Sequence, residues 1–437
     1  MSTKPGAIQL PLTGYLERES ALLIEKIPAL VSAGLVVLAA MAPLLMPWGY
    51  WWGLVALLAA GLVQRLGNAS SLTGAPERYR ASRLLCGALL LYAVAEALAA
   101  HQYDGWAVAW PVVAAGVLAT LVWWVGRRLV LPAAWVWAGF AVAGVGTGVW
   151  SLWQALVGGV ARAHGHAPLH AIIFGNLALL SGLLCVAGLG WVWHQRTLGQ
   201  ASLRWWLLLL AGACGGVLAS LLSGTWGGWI ALPLALLVFY RGYICHWPVR
   251  WRWSVLVAMV ALVAGLYGFP QIGVQARTDA AVAEAQDYLA GEARGSVGMR
   301  LEMYRGAGLL ILAQPWQGVG HQGYQPAMQA LVEEERLPPG LGRYWHAHNE
   351  LLDAWVRRGV LGLIAVLALY VVPLGLFSRR LGHANLGRRA VAVGGLLIPV
   401  AFIDFGITYA FFAYPVGVAV YASWLLLLWQ CELSIKV

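Results

Sequence analysis

The chain has 437 residues, of which 61% are hydrophobic and 11% charged, with a mean hydropathy of +0.72. Soluble domains hold roughly 45–50% apolar and about 25% charged residues, so a soluble enzyme, a nucleic-acid binder and a disordered scaffold are excluded. A net charge of +10 on a polytopic membrane protein reports orientation rather than a nucleic-acid partner.

The N-terminus, MSTKPGAIQLPLTGYLERESALLIEK, is too charged for a signal peptide, and the first apolar run after it reads as a retained transmembrane helix. A span needs about 20 mostly apolar residues. Segments at 27–46, 49–65, 84–101, 106–125, 130–155, 168–193, 204–222, 226–244, 253–270, 359–377, 389–408 and 409–430 meet that need. The chain is therefore expected to be all-α with about twelve transmembrane helices. Nine fall in 1–270, a polar segment occupies 271–358, and three more spans fill 359–437.

With the N-terminus inside, the cytoplasmic segments hold Lys4, Arg18, Lys26, Arg65, Arg78, Arg80, Arg83, Arg127, Arg128, Arg196, Arg204, Arg241, Arg250, Arg252, Arg379, Arg380, Arg388, Arg389 and Lys436, whereas the short loops opposite hold Arg162 alone. The positive-inside rule then places both termini in the cytoplasm and 271–358 outside it. Tryptophans gather at span ends, as at Trp51–Trp52, Trp123–Trp124 and Trp205–Trp206, where interfacial anchoring to membrane lipids accounts for most of them. Cys86, Cys185, Cys214, Cys245 and Cys431 have no metal-ligand spacing, and none lies in 271–358, so that segment is not disulfide-stapled.

Within 271–358 three helical patches are predicted, at 279–290, at 297–313 with Ser296 as N-cap, and at 325–336. Pro338, Pro339 and Gly340 then break the chain. From Asn349 onward Leu351, Leu352, Trp355 and Val356 share one face, predicting an interfacial helix that leads into the next span.

Polar residues at the outer face of an apolar protein are functional candidates. His101, His164, His166, His170, His321, His346 and His348 fall on that side. In WHAHNELLDAW, His346 and His348 precede Asn349, Glu350 and Asp353. One reading is a histidine base oriented by a carboxylate. A second is a transition-metal site, joined by the His164-x-His166 pair. A third is a helix start whose histidines bond to headgroups or backbone. Arg162, Arg300 and Arg305 are candidate phosphate contacts, although Arg305 reads better as a partner of Glu302. Gly318-Val-Gly320-His-Gln-Gly323 fits a nucleotide fingerprint, but without a preceding strand it reads as a turn. Glu96 and Asp404 lie in or at the ends of spans, as the proton-relay residues of a transporter do.

SVGMRLEMYRGAGLLILAQPWQGVGHQGYQPAMQAL and HAHNELLDAWVRRGVLGLIAVLALYVVPL together resemble the O-antigen ligase and polymerase superfamily of bacterial inner membranes. The likeness lies in an Arg-x3-Tyr helix, a Pro-x-x-Gly-x-Gly turn and a His-Asn-x-x-Leu run before Gly-x-x-Gly-Leu. ARAHGHAPLHAIIFGNLALL resembles the same family's short-loop segment. The resemblance implies a metal-independent, inverting glycosyltransferase with no cofactor. It would move a glycan from undecaprenyl diphosphate, in the ligase branch onto lipid A–core, completing lipopolysaccharide on the periplasmic side. It further implies His348 as the catalytic histidine, Arg162 and Arg300 as diphosphate contacts, and His346 and Asn349 as supporting substrate-binding residues. LLSGTWGGWIALPLAL departs from the family's Ser-Gly-Ser-Arg-Gly by carrying Trp226 for the arginine. An O-antigen polymerase, a protein O-oligosaccharyltransferase and a transporter or metal-handling protein remain the alternatives.

Overall fold

The computed structural model describes residues 12–435 apart from 67–75, 104, 127–128, 201, 226, 231, 269–273 and 294. Lys4, Arg127, Arg128, Lys436 and Trp226, which carried expectations above, lie outside the described residues. The described chain is helical and contains no strand. Its helices are α1 Leu12–Leu45, α2 Gly49–Leu66, α3 Pro76–Gln102, α4 Trp106–Gly126, α5 Ala133–Leu156, α6 Ala171–Thr197, α7 Leu203–Leu222, α8 Leu232–Gly242, α9 Val249–Gly268, α10 Val274–Leu289, α11 Gly295–Ala313, α12 His321–Glu333, α13 Glu350–Ser378, α14 Leu386–Thr408 and α15 Pro415–Ser434.

Among the described residues ten helical segments are long and apolar enough to cross a membrane, which makes this a multi-pass membrane protein. Each of the twelve expected spans overlaps a helix among the described residues. The two outside that set of ten are 49–65, which falls in α2, and 253–270, whose described residues 253–268 fall in α9. Lipid tails are as apolar as leucine, so spans associate through close packing rather than hydrophobic exclusion. Helices α5 and α7 accordingly meet backbone to backbone: a Cβ on Gly144 would stand 2.2 Å from the Gly212 carbonyl oxygen. α15 is the buried centre, packed against α1, α2, α4 and α14. Its Trp424 donates to the Ala40 carbonyl and its Trp429 to Ser82 Oγ. These two and Trp137 are fully buried, so they are core residues rather than interfacial anchors.

The polar segment folds as α10, α11 and α12 over a small core of its own, which includes Met303, Ala307, Tyr324, Met328, Leu331 and Val356. Ser296 is not an N-cap, because α11 begins one residue earlier, at Gly295, whose φ of +71° makes the turn. The Gly318–Gly320 stretch is a turn, as expected, and it has a partner. α13 kinks at Gly359, with φ +63°, so the carbonyls of Val356 and Arg357 lose their helical donors. Val319 N and Gly320 N supply that need at 2.7 and 3.1 Å, while Val360 N donates to the Pro315 carbonyl at 3.1 Å. Backbone groups freed by a kink must be paired again when buried.

Two further expectations are corrected. The helix from Asn349 does run into the next span, but its most buried face is polar: Glu350, Asp353, Arg357 and Arg358 are buried, whereas Leu351 is 39% exposed. The last expected span starts six residues late, because an extended Tyr409 ends α14 and Pro415 opens α15, as its preset φ favours. Residues 409–414 are therefore a loop.

Candidate functional site

The loop before α13 is held by four local hydrogen bonds from three side chains. Asn349 caps the helix, its Oδ1 accepting from Leu351 N and Leu352 N at 3.1 Å each. Asp353 Oδ1 accepts from Ala347 N at 3.1 Å. His346 Nδ1 accepts from His348 N at 3.1 Å, and the two imidazoles lie tilted by 38° with centroids 4.2 Å apart. His348 takes a φ of +52°, a left-handed conformation sparsely used by non-glycine residues. The hydroxyl of Tyr304, one turn after Arg300 on α11, is shared between the carbonyls of Ile407 at 2.8 Å and His348 at 3.2 Å.

Three separate loops meet at this point. His170, the N-cap of α6, contacts Tyr409 Oη through Nε2 at 2.9 Å. Tyr409 and Tyr414 share a short hydroxyl contact, and Tyr414 Oη reaches His346 Nε2 at 3.3 Å. The His348 ring lies against Tyr409 and Tyr344, at 5.4 and 5.6 Å. Burial pushes His346 down to about 3. Burial and the Arg300 charge push His348 down to about 4. Both are neutral imidazoles near pH 7, and His348 Nδ1 is buried with no hydrogen-bond partner among the described residues.

Arg162 is exposed at the other end of the row, its Nε donating to the Ser223 carbonyl at 2.9 Å. Burial and the Arg162 charge hold His170 below its ordinary value. Arg300 makes no side-chain hydrogen bond or ion pair among the described residues. The sequence-predicted Arg162, Arg300, His346, His348 and Asn349 therefore gather at one end of the bundle. Arg305 pairs with Glu302 at 2.7 Å.

The other histidines do not join. His164 contacts the Gly165 carbonyl, His166 lies tilted against Trp150 at 4.4 Å, and no group of three or more His, Cys, Asp or Glu among the described residues is placed to hold a metal. His321 meets Glu96, which also receives Arg358 Nη1 at 2.8 Å. Arg357 pairs with Asp353 at 3.2 Å, and these side chains are almost wholly buried. Glu96 is thus part of a fixed ion network that ties α3 and α12 to α13. Asp404 is buried within α14.

Sequence reasoning missed Tyr409 and Tyr414, and gave His170 no role. The available signal was a pair of tyrosines flanking AFFA between the last two apolar runs. A separate apolar groove of about 750 Å³ lies between α8 and α9, lined by residues including Leu237, Tyr240, Leu256 and Val260.

Residues 211–367 match the family model described as O-Antigen ligase, a stretch that contains Arg300, His346, His348 and Asn349. An uncharacterized protein of Haemophilus influenzae is 27% identical over 215 residues, 47% of this chain and 52% of that protein. The O-antigen ligase of Escherichia coli strain K12 is 23% identical over 210 residues, 45% of this chain and 49% of that protein. The chain thus spans about half the length of the curated relatives it matches. The resemblance to the O-antigen ligase superfamily rests on these matches as well as on the motifs.

Proposed function

We propose that this chain, similar in its second half to the O-antigen ligase family, is an O-antigen ligase. It transfers glycan from undecaprenyl diphosphate to lipid A–core at the periplasmic face of the bacterial inner membrane, with both termini in the cytoplasm. The observation that carries this reading is a neutral, partly uncommitted His348 beside Arg300, linked through the Tyr409 ring to His170 and its neighbour Arg162 on one end of a membrane bundle. A cation pair suits a diphosphate, and a neutral imidazole suits a hydroxyl that must lose a proton.

In the proposed reaction the acceptor hydroxyl oxygen attacks the anomeric carbon while the bond from that carbon to the phosphate oxygen breaks. The hydroxyl proton passes to His348, and the electron pair leaves with the diphosphate. A positioned base contributes roughly 10²–10⁴-fold. Arg162 and Arg300 face the charge that develops on the leaving oxygens. That pairing of base and cationic clamp suffices for direct displacement with inversion, so the reaction is proposed to need no metal. His346 and Asn349 hold the His348 loop through the bonds described above. The apolar groove between α8 and α9 suits the polyprenyl tail.

The test is transfer by the purified protein, given undecaprenyl-diphosphate-linked glycan, lipid A–core and excess EDTA. Glycan joined to core is the expected result. Lengthened donor with untouched core would identify a polymerase instead, and activity recovered only on adding metal would overturn the metal-free mechanism.

A further inference from the structure

Four side chains form one row, His170–Tyr409–Tyr414–His346, joined through Nε2 at each imidazole and Oη at each tyrosine. Backbone amides pin both ends. Ile172 N donates to His170 Nδ1 at 3.3 Å, and His348 N donates to His346 Nδ1 at 3.1 Å. A ring nitrogen that accepts carries no proton, and a neutral imidazole has only one. Each histidine therefore bears its proton on Nε2, and both donate into the row.

The row then has three links and four protons, two from imidazoles and two from hydroxyls. The imidazole protons occupy the terminal links, and one hydroxyl proton occupies the middle one. The remaining hydroxyl proton has no acceptor in the row, and neither tyrosine hydroxyl has another partner among the described residues. Tyr409 is 5% exposed and Tyr414 is the more open, so Tyr409 donates to Tyr414 and Tyr414 keeps the spare proton. A phenol oxygen accepts two hydrogen bonds readily, here from Tyr409 and His346.

The charges that act on Tyr414 itself, Asp353 and Arg357, are paired with each other, so the row's unpaired cations are the two arginines flanking it, and the acceptor they would bring to that proton is an anion. Arg162 acts on His170 at one end, and Arg300 acts on His348 beside the other. We infer that Tyr414 donates its hydroxyl proton to a phosphate oxygen of the lipid diphosphate, as a third anion contact beside Arg162 and Arg300. The inference rests on the ligase reading. No bond is made or broken by Tyr414; it stabilises charge on the bound and departing diphosphate.

The experiment is binding of undecaprenyl diphosphate to the full-length protein in detergent, for wild type, Tyr414→Phe, Tyr409→Phe and the double variant, each checked by thermal melting. A hydrogen bond to a charged group corresponds to about ten- to a hundredfold in affinity. Tyr414→Phe should lose that much. Tyr409→Phe should lose little, since Tyr414 still accepts from His346 and still points its proton outward, and the double variant should match Tyr414→Phe. A packing role would reverse the order, because Tyr409 is the more buried. Should Tyr414→Phe not fold, 3-fluorotyrosine at 414 keeps the ring while sharpening the donor, and tighter binding is expected. Equal binding by wild type and Tyr414→Phe, or no gain with the fluorinated residue, overturns the inference while leaving the ligase reading intact. Failure of the wild type to bind undecaprenyl diphosphate overturns both.

Discussion

Asp353 accepts, at 3.1 Å, the amide proton of Ala347, the residue between the two loop histidines. The same carboxylate receives Arg357 through its other oxygen. One side chain thus ties the His346–His348 loop to the buried charges of α13, and through Arg358 and Glu96 to α3. The histidine pair is held by a span rather than by loop contacts alone.

His348→Ala should abolish transfer, by at least about 10²-fold if it serves as the base, while the protein keeps its elution volume and helical circular dichroism. Near wild-type turnover would remove His348 from the mechanism.

Arg300→Ala should raise the KM for lipid-linked donor with the acceptor KM unchanged. The residue makes no side-chain bond among the described residues, so its loss leaves no stranded partner there. An unchanged donor KM would move the diphosphate elsewhere.

Removing one member of a buried ion network strands its partners, at a cost of about 3–5 kcal/mol. Glu96→Gln should therefore lower the melting temperature clearly, because Arg358 and His321 both face that carboxylate. If melting is unchanged, the network does not hold α3 to α13.

Gly359→Ala should be still more damaging. An added Cβ would stand 1.9 Å from the Trp316 carbonyl oxygen, at a φ of +63°. Loss of folded protein on size exclusion is expected, and a well-folded, active variant would mean that the kink and the 315–320 turn are not coupled.

Acidity provides a further check. Burial holds His346 to about 3 and His348 to about 4, below the ordinary value near 6.5. Stability from keeping them neutral is fully present above about pH 6.5 and is lost as pH falls toward 4, where the unfolded chain binds more protons. Transfer rates should accordingly stay flat from pH 8 to about pH 5, measured with the fold verified at each pH. A midpoint near 6.5 would mean that the imidazole governing transfer is exposed.

Composition and long uncharged runs were enough to establish a helical membrane bundle, because a segment crossing lipid must satisfy its own backbone and show an apolar exterior. The helices α10, α11 and α12 and the loop histidines were legible for a similar reason: local periodicity and turn residues act over neighbouring positions. The polar inner face of α13 was not, since the four charges there are tolerated only by partners remote in sequence, on α3 and in the 409–414 loop, and by one another. Tyr409 and Tyr414 were read as the start of a span because they sit among apolar residues. Their roles depend on His170, 239 positions from Tyr409, and on His346, 68 from Tyr414. Hydrogen bonds of that reach leave no periodic trace in sequence, and only the packing of separate spans brings their ends together.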